Sequence, residues 1–208
     1  MQIGWNENRA LLRGSVAEAP VFSHENHDVT YWSFPLEVKR LSGAEDRVNV
    51  LAPGTLLGEC PIAAGIGVEI EGEVRSFNNR SGQGSRLVIS LYAKTMKPSE
   101  EEHQNQLTLV GVLCKQPVIR RTPLGREICD LMLAVNRKYG RADYLPCIAW
   151  GSLAERCSQL QVGDGVHIEG RFQSRKYTKV ENGESHERTA YEISVMKLES
   201  VTEEKMES

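Results

Sequence analysis

Four segments of this 208-residue chain recur in the same order, and that repeat constrains the fold more than any single motif. NRALLRG at 8–14 matches NQLTLVG at 105–111. SFPLEVKRLSG at 33–43 matches DLMLAVNRKYG at 130–140, and DRVNVLAPGTLLGEC at 46–60 matches DYLPCIAWGSLAERC at 143–157. These three pairs share an offset of 97. GIGVEIEGEVRS at 65–76 matches GDGVHIEGRFQS at 163–174 at an offset of 98, as one inserted residue before Gly163 requires. Register held through four segments means two copies of one domain. The copies are expected at 1–98 and 107–201. Between them, 99–106 is a linker, part of the Pro-containing, acidic and polar run KPSEEEHQNQ, and 202–208 is a short acidic tail.

The second copy spells out the fold. LTLVGVL (107–113) and ICDLMLAVN (128–136) are β-rich runs, and CKQPVIRRTPLGRE between them has the Pro and Gly of a loop and turn. YLPCIAW (144–150) is a third strand. A helix follows, with Ser152 as N-cap and Glu155 at the capping-box spacing. Leu153, Ala154, Cys157 and Leu160 recur with helical period, and VGDG ends the run. VHIEGRFQSRKYTKV and TAYEISVMKLESV are two further strands, joined by the hairpin signal Asn182-Gly183. The order β-β-β-α-β-β predicts an all-β chain with short helices: two tandem OB-folds, each a five-stranded Greek-key barrel with a helix between strands three and four. Mid-strand Gly111 and Gly170, repeated by Gly14 and Gly72, suit the tight bends of a small barrel.

The net charge of −3 conceals an asymmetry. Residues 1–104 stand at −4 and 105–208 at +1; without the last ten residues the second half stands at +4. Any basic surface therefore belongs to the second copy. No apolar run approaches the roughly 20 residues of a membrane span, and no signal peptide is visible, so a cytoplasmic protein is expected. The five cysteines lack a C-x-x-C spacing and lie in apolar runs, which reads as buried, reduced thiols. His24 and His27 of HENHD are too few for a zinc site, and no nucleophile, base and orienting group fall on neighbouring elements, so neither a metal nor catalysis is expected.

Alternation in the fourth strand puts Val166, Ile168 and Phe172 inward, with His167, Glu169, Arg171, Gln173, Arg175 and Tyr177 outward. In the third strand Tyr144 and Trp150 share a face, but both faces are apolar. Trp150 could plug the barrel bottom or offer a stacking surface. The internal repeat favours stacking: Ser42, Arg47, Pro53 and Asn79 occupy the places of Tyr139, Tyr144, Trp150 and Tyr177, and the barrel pattern persists without those rings. Aromatics interleaved with Arg and Lys suit single-stranded nucleic acid, whose bases stack and whose phosphates seek cations.

NQLTLVGVLCKQPVIRRTPLG, LPCIAWGSLAERC and VGDGVHIEGRFQSRKY together resemble the bacterial single-stranded DNA-binding protein family, primosomal relatives included. The resemblance covers about 105–201, and more weakly about 8–96 through the repeat. It implies sequence-nonspecific binding of single-stranded DNA in replication, recombination or repair, no enzymatic activity and no cofactor. It implies a homodimer giving four OB-folds, replication and repair proteins as partners, and a nucleoid-associated place in the cytoplasm. The family's stacking positions fall on Tyr139, Tyr144, Trp150 and Tyr177, and its cationic contacts on Arg120, Arg121, Arg137, Lys138, Arg171, Arg175 and Lys176. Two departures stand out. The first copy lacks every stacking candidate, which suggests an architectural role in dimerisation or partner contact; its own aromatics, Phe22, Tyr31, Trp32 and Phe34, cluster around its second strand. The ending EEKMES lacks the family's long spacer and Phe tip, which leaves partner recruitment by that route unsupported. The alternative reading is an OB-fold adaptor or replication-restart protein working through protein contacts, and an RNA ligand is not separable from DNA at this level.

Overall fold

The computed structural model describes residues 7–78, 87–122, 124–137, 140–181 and 184–201. The first repeat forms β1 (Asn8–Val16), β2 (Val21–Asn26), β3 (Val29–Lys39), β4 (Glu45–Pro53), α1 (Gly54–Glu59), β5 (Gly67–Asn78) and β6 (Leu87–Pro98). The second forms β7 (Gln104–Leu113), β8 (Val118–Arg121), β9 (Glu127–Asn136), β10 (Ala142–Trp150), α2 (Ser152–Cys157), β11 (Gly165–Glu181) and β12 (Glu184–Ser200).

Each repeat closes a five-stranded ring. In the first, β1 pairs antiparallel with β3 and β5, β3 with β4, and β5 with β6, while the β4–β6 seam is parallel. The second repeats the scheme as β7–β9–β10–β12–β11–β7, again with a parallel seam, β10–β12. Closure pairs every ring strand on both sides over part of its length and encloses one apolar core per barrel. Leu12, Phe34, Leu36, Val50, Ile70 and Leu91 fill the first; Leu109, Leu133, Leu145, Ile168, Phe172 and Ile193 fill the second. The expected OB architecture is present, with each short helix between the third and fourth ring strands.

The mid-strand glycines sit where strands crowd. A Cβ at Gly111 would come within 2.5 Å of the Ala134 carbonyl oxygen, and one at Gly14 within 2.4 Å of the Glu37 carbonyl oxygen, both where the first ring strand meets the second. Only a residue without a side chain permits that approach.

Two local expectations are corrected. The segment 114–127, expected to be loop and turn, contains β8, which pairs with β9 from Val118↔Asp130 to Arg121↔Glu127. The Gly signal belongs to the hairpin tip, where Gly125 has φ +77° and its N–H donates to the Thr122 carbonyl at 2.8 Å. Four exposed residues held on one side offer no burial alternation to read. The helix α2 takes Gly151 rather than Ser152 as N-cap, with no side-chain capping bond. The chain leaves β10 through a left-handed Gly151 (φ +57°), whose carbonyl already accepts from Ala154 and Glu155.

The described residues divide into two compact units that do not coincide with the repeats. One holds 7–9, 107–172 and 192–201; the other holds 10–106 together with 173–191, the outer part of the β11–β12 hairpin. No helix of the described residues is long and apolar enough to cross a membrane.

Candidate nucleic-acid interface

Strand β10 settles the ambiguity left by its two apolar faces. Leu145, Cys147 and Ala149 are buried in the barrel, so Tyr144, Pro146 and Trp150 lie on the opposite side. Tyr144 is 51% exposed and Trp150 part-exposed. Six residues of extended strand separate them by roughly 20 Å. Ile148, of the same outward parity, is nevertheless buried, as are His167 and Gln173 in the outward set of β11. The His167 imidazole lies 4.0 Å from the Glu7 carboxylate. Alternation assigns a side of the strand, not whether other chain covers it.

The candidate cations described in this unit are already engaged. Arg120 Nε donates to Asp130 Oδ2 at 2.5 Å and its Nη2 to Oδ1 at 3.1 Å, across the β8–β9 hairpin. Arg121 Nη2 reaches Glu127 Oε1 at 2.9 Å. Both side chains remain substantially exposed, so these bonds are weak competitors to a phosphate. Arg137 differs: it holds Asp143, which is fully buried, through Nε at 2.5 Å and through Nη2. The first repeat makes the equivalent pair, Arg40 with the fully buried Asp46, at 2.7 Å through Nε and again through Nη2. A pair kept in the repeat without stacking candidates belongs to the framework of the β-hairpin. Arg171 is part-buried and already has a partner.

Arg175 and Lys176 are exposed and Tyr177 part-exposed, in the other unit. The Arg175 guanidinium lies 5.8 Å from the centroid of the Tyr177 ring, a cation–π distance, and Lys176 Nζ meets Glu187 Oε1 at 3.0 Å across the hairpin. Tyr139 and Lys138 lie outside the described residues. The structure therefore groups Tyr144, Trp150, Arg120, Arg121, Arg137 and Arg171 in one unit and Arg175, Lys176 and Tyr177 in the other. Two further exposed cations flank these strands: Arg141, which precedes β10 and which the sequence places in the loop with Arg137 and Lys138, and Arg126, beside the β8–β9 turn, which escaped the sequence reading. The signal for Arg126 was an Arg flanking a turn, next to a strand that carries candidates.

The first repeat's aromatics fall into two groups. Phe34 is core. Phe22 and Trp32 pack edge-to-face at 5.9 Å, and His24 stacks on Tyr31 at 4.8 Å with a 13° interplanar angle. Tyr31 is 6.1 Å from Tyr92, over which Arg75 sits at 5.9 Å. Burial pushes the Tyr92 phenol up to about 12, so it stays protonated. Arg47, at the place of Tyr144, pairs instead with Glu18 and Glu37.

Among the described residues no group of three or more His, Cys, Asp or Glu could hold a metal ion. All five cysteines are free; four are buried and Cys114 is partly so. Burial pushes their thiols up, Cys157 to about 11, which suppresses the reactive thiolate.

Comparisons with known proteins bear on the same repeat. The model of the single-strand binding protein family matches residues 104–201. Single-stranded DNA-binding protein B of Bacillus subtilis (strain 168) is 38% identical over 84 residues, 37% of this chain and 74% of that one. Single-stranded DNA-binding protein 2 of Listeria innocua is 36% identical over 80 residues, 35% of this chain and 50% of that one. The chain thus spans about half the length of most of the curated relatives it matches. The crystal structure of the wild-type single-stranded DNA binding protein from Thermus aquaticus superposes with a TM-score of 0.76 at 23% identity, covering 94% of this chain and 93% of that one, which establishes a shared fold across both repeats. With 74% of the Bacillus protein covered at 38% identity and the family model matched along the second barrel, the chain belongs to the single-strand binding protein family.

Proposed function

We propose that the chain binds single-stranded DNA without strong sequence preference, in replication, recombination or repair, with no catalytic step and no cofactor. Bases stack on Tyr139, Tyr144, Trp150 and Tyr177, and phosphates meet Arg120, Arg121, Arg171, Arg175, Lys176 and Lys138, with Arg137 chiefly holding its hairpin. The observation that carries this reading is the outward placement of Tyr144 and Trp150 on β10, in the repeat matched by the family model. The names of the relatives, all single-stranded DNA-binding proteins, support it. In this reading 107–201 is the main binding domain, 1–98 a divergent architectural domain, and two chains associate to place four barrels together at the nucleoid.

Titration of intrinsic fluorescence with oligo-dT and oligo-rU at several salt concentrations tests the proposal. Strong, salt-sensitive quenching by dT is expected. Replacing all four candidate aromatics by Ala should abolish it, and near-full affinity in that variant would sink the reading. The exposed Phe22 and its aromatic neighbours, in a first half (1–104) of net −4, favour an adaptor role as the second reading. Absence of quenching by either oligonucleotide is the result that selects it.

A further inference from the structure

We infer that Asp46 and Ser174 act together as positioning residues for the β11–β12 hairpin, an inference that rests on the single-strand reading above. Asp46 and Arg47 open β4, ahead of the point where that strand meets β6, so one edge of β4 has no neighbouring strand there. The hairpin supplies what the edge lacks. The Arg47 N–H donates to Ser174 Oγ at 2.9 Å, and the Ser174 N–H donates to Asp46 Oδ1 at 3.0 Å. All three residues lie in one compact unit, since 173–191 groups with 10–106.

The exchange is reciprocal, like a capping box: each backbone donor finds a side-chain acceptor. Asp46 can serve because it is fully buried and Arg40 holds both of its carboxylate oxygens, which fixes the Oδ1 that accepts from Ser174. Beyond Ser174 many of the hairpin's described side chains are exposed. Arg175, Lys176 and Thr178 are exposed on one strand, and 184–187 on the other. Tyr177 stands only three residues past the clasp, about 10 Å along the strand. A ring that must meet a base face-on binds better when its backbone is set beforehand, because ordering otherwise opposes binding. The first repeat, which lacks stacking candidates of its own, would thus contribute by aiming the hairpin that carries Arg175 and Tyr177.

Ser174→Ala removes the acceptor of the Arg47 N–H while keeping the backbone donor to Asp46; Ser174→Thr keeps both. Oligo-dT affinity at fixed salt and amide hydrogen exchange across 173–191 should be measured for the parent, both variants, Tyr177→Ala and the Ser174→Ala/Tyr177→Ala double variant. Expected are faster exchange and roughly three- to tenfold weaker binding in Ser174→Ala, the scale of one hydrogen bond. Ser174→Thr should restore both, and Ser174→Ala should weaken the Tyr177→Ala chain little further. Unchanged exchange in Ser174→Ala overturns the clasp. Unchanged affinity, or a full additive loss on top of Tyr177→Ala, overturns its role in positioning Tyr177. A parent chain that ignores oligo-dT overturns the binding reading instead, and the exchange data then still judge the clasp by itself.

Discussion

Tyr144 and Trp150 occupy opposite ends of one strand, and their neighbours of the other parity form the barrel wall. Truncating either ring should leave the barrel intact and weaken oligo-dT binding by about 1–3 kcal/mol, the usual worth of one aromatic–base stack. Equilibrium titration beside far-UV circular dichroism checks both halves of that statement. Arg120 is a different case, because Asp130 already takes two of its N–H groups. A free phosphate contact contributes a slope of about 0.9 to log K against log salt. Arg120→Ala should therefore lower the slope by clearly less than that, whereas Asp130→Asn, which leaves the guanidinium without its anion, should tighten binding. The paired sets Arg40–Asp46 and Arg137–Asp143 show the limit of counting cations in a sequence: an Arg in a basic run can belong to a buried carboxylate.

At the scale of elements, the ring closures govern stability. The β7–β9 closure runs past Gly111, where an added methyl meets the Ala134 carbonyl and the Leu133 side chain. Gly111→Ala should lower stability by about 1–3 kcal/mol, the usual cost of overpacking. A lower urea midpoint with an unchanged m-value is the expected signature. The β8–β9 hairpin is the opposite kind of element. It hangs outside the closed ring, with Val118 and Ile119 exposed, and carries Arg120 and Arg121 on a strand paired on one side only. The turn at Gly125 and the cross-strand pairs to Asp130 and Glu127 hold it, so its cations can adjust to a phosphate without disturbing the barrel.

For the molecule as a whole, pH tests the buried thiols. Cys157 is raised from 9.0 to about 11 by burial, so the folded state keeps a proton that the unfolded chain releases earlier. Below pH 9 this contribution is fully present; as pH rises from 9 through 11 the unfolded state binds fewer protons and stability falls. Cys157→Ala should flatten that decline, read as urea midpoints across the interval. The same thiols should react slowly with alkylating agents near pH 8 in the native chain, and quickly in urea. Sizing by light scattering tests the proposed pairing of chains, with a mass of about twice the 23.2 kDa of one chain expected.

The internal repeat, the strand order and the inward side of most strands were legible in the sequence, because burial writes a period into a chain and a duplicated fold writes it twice. The four mid-strand glycines were legible for the same reason: a strand that must approach a neighbouring backbone cannot carry a side chain. What stayed hidden depends on neighbours far away in sequence. The strand β8, four exposed residues with a partner on one side, has no burial pattern of its own. The side of β10 that faces solvent was decided by ring closure, since both of its faces are apolar. Whether Arg137 is free or bound, and whether His167 and Gln173 on an outward face are covered, were decided by packing. The sequence by itself determined the repeated barrel and which residue types line its strands; only the tertiary structure decided which charges are already paired, because a carboxylate buried six residues away leaves no mark on the spacing of the arginine that holds it.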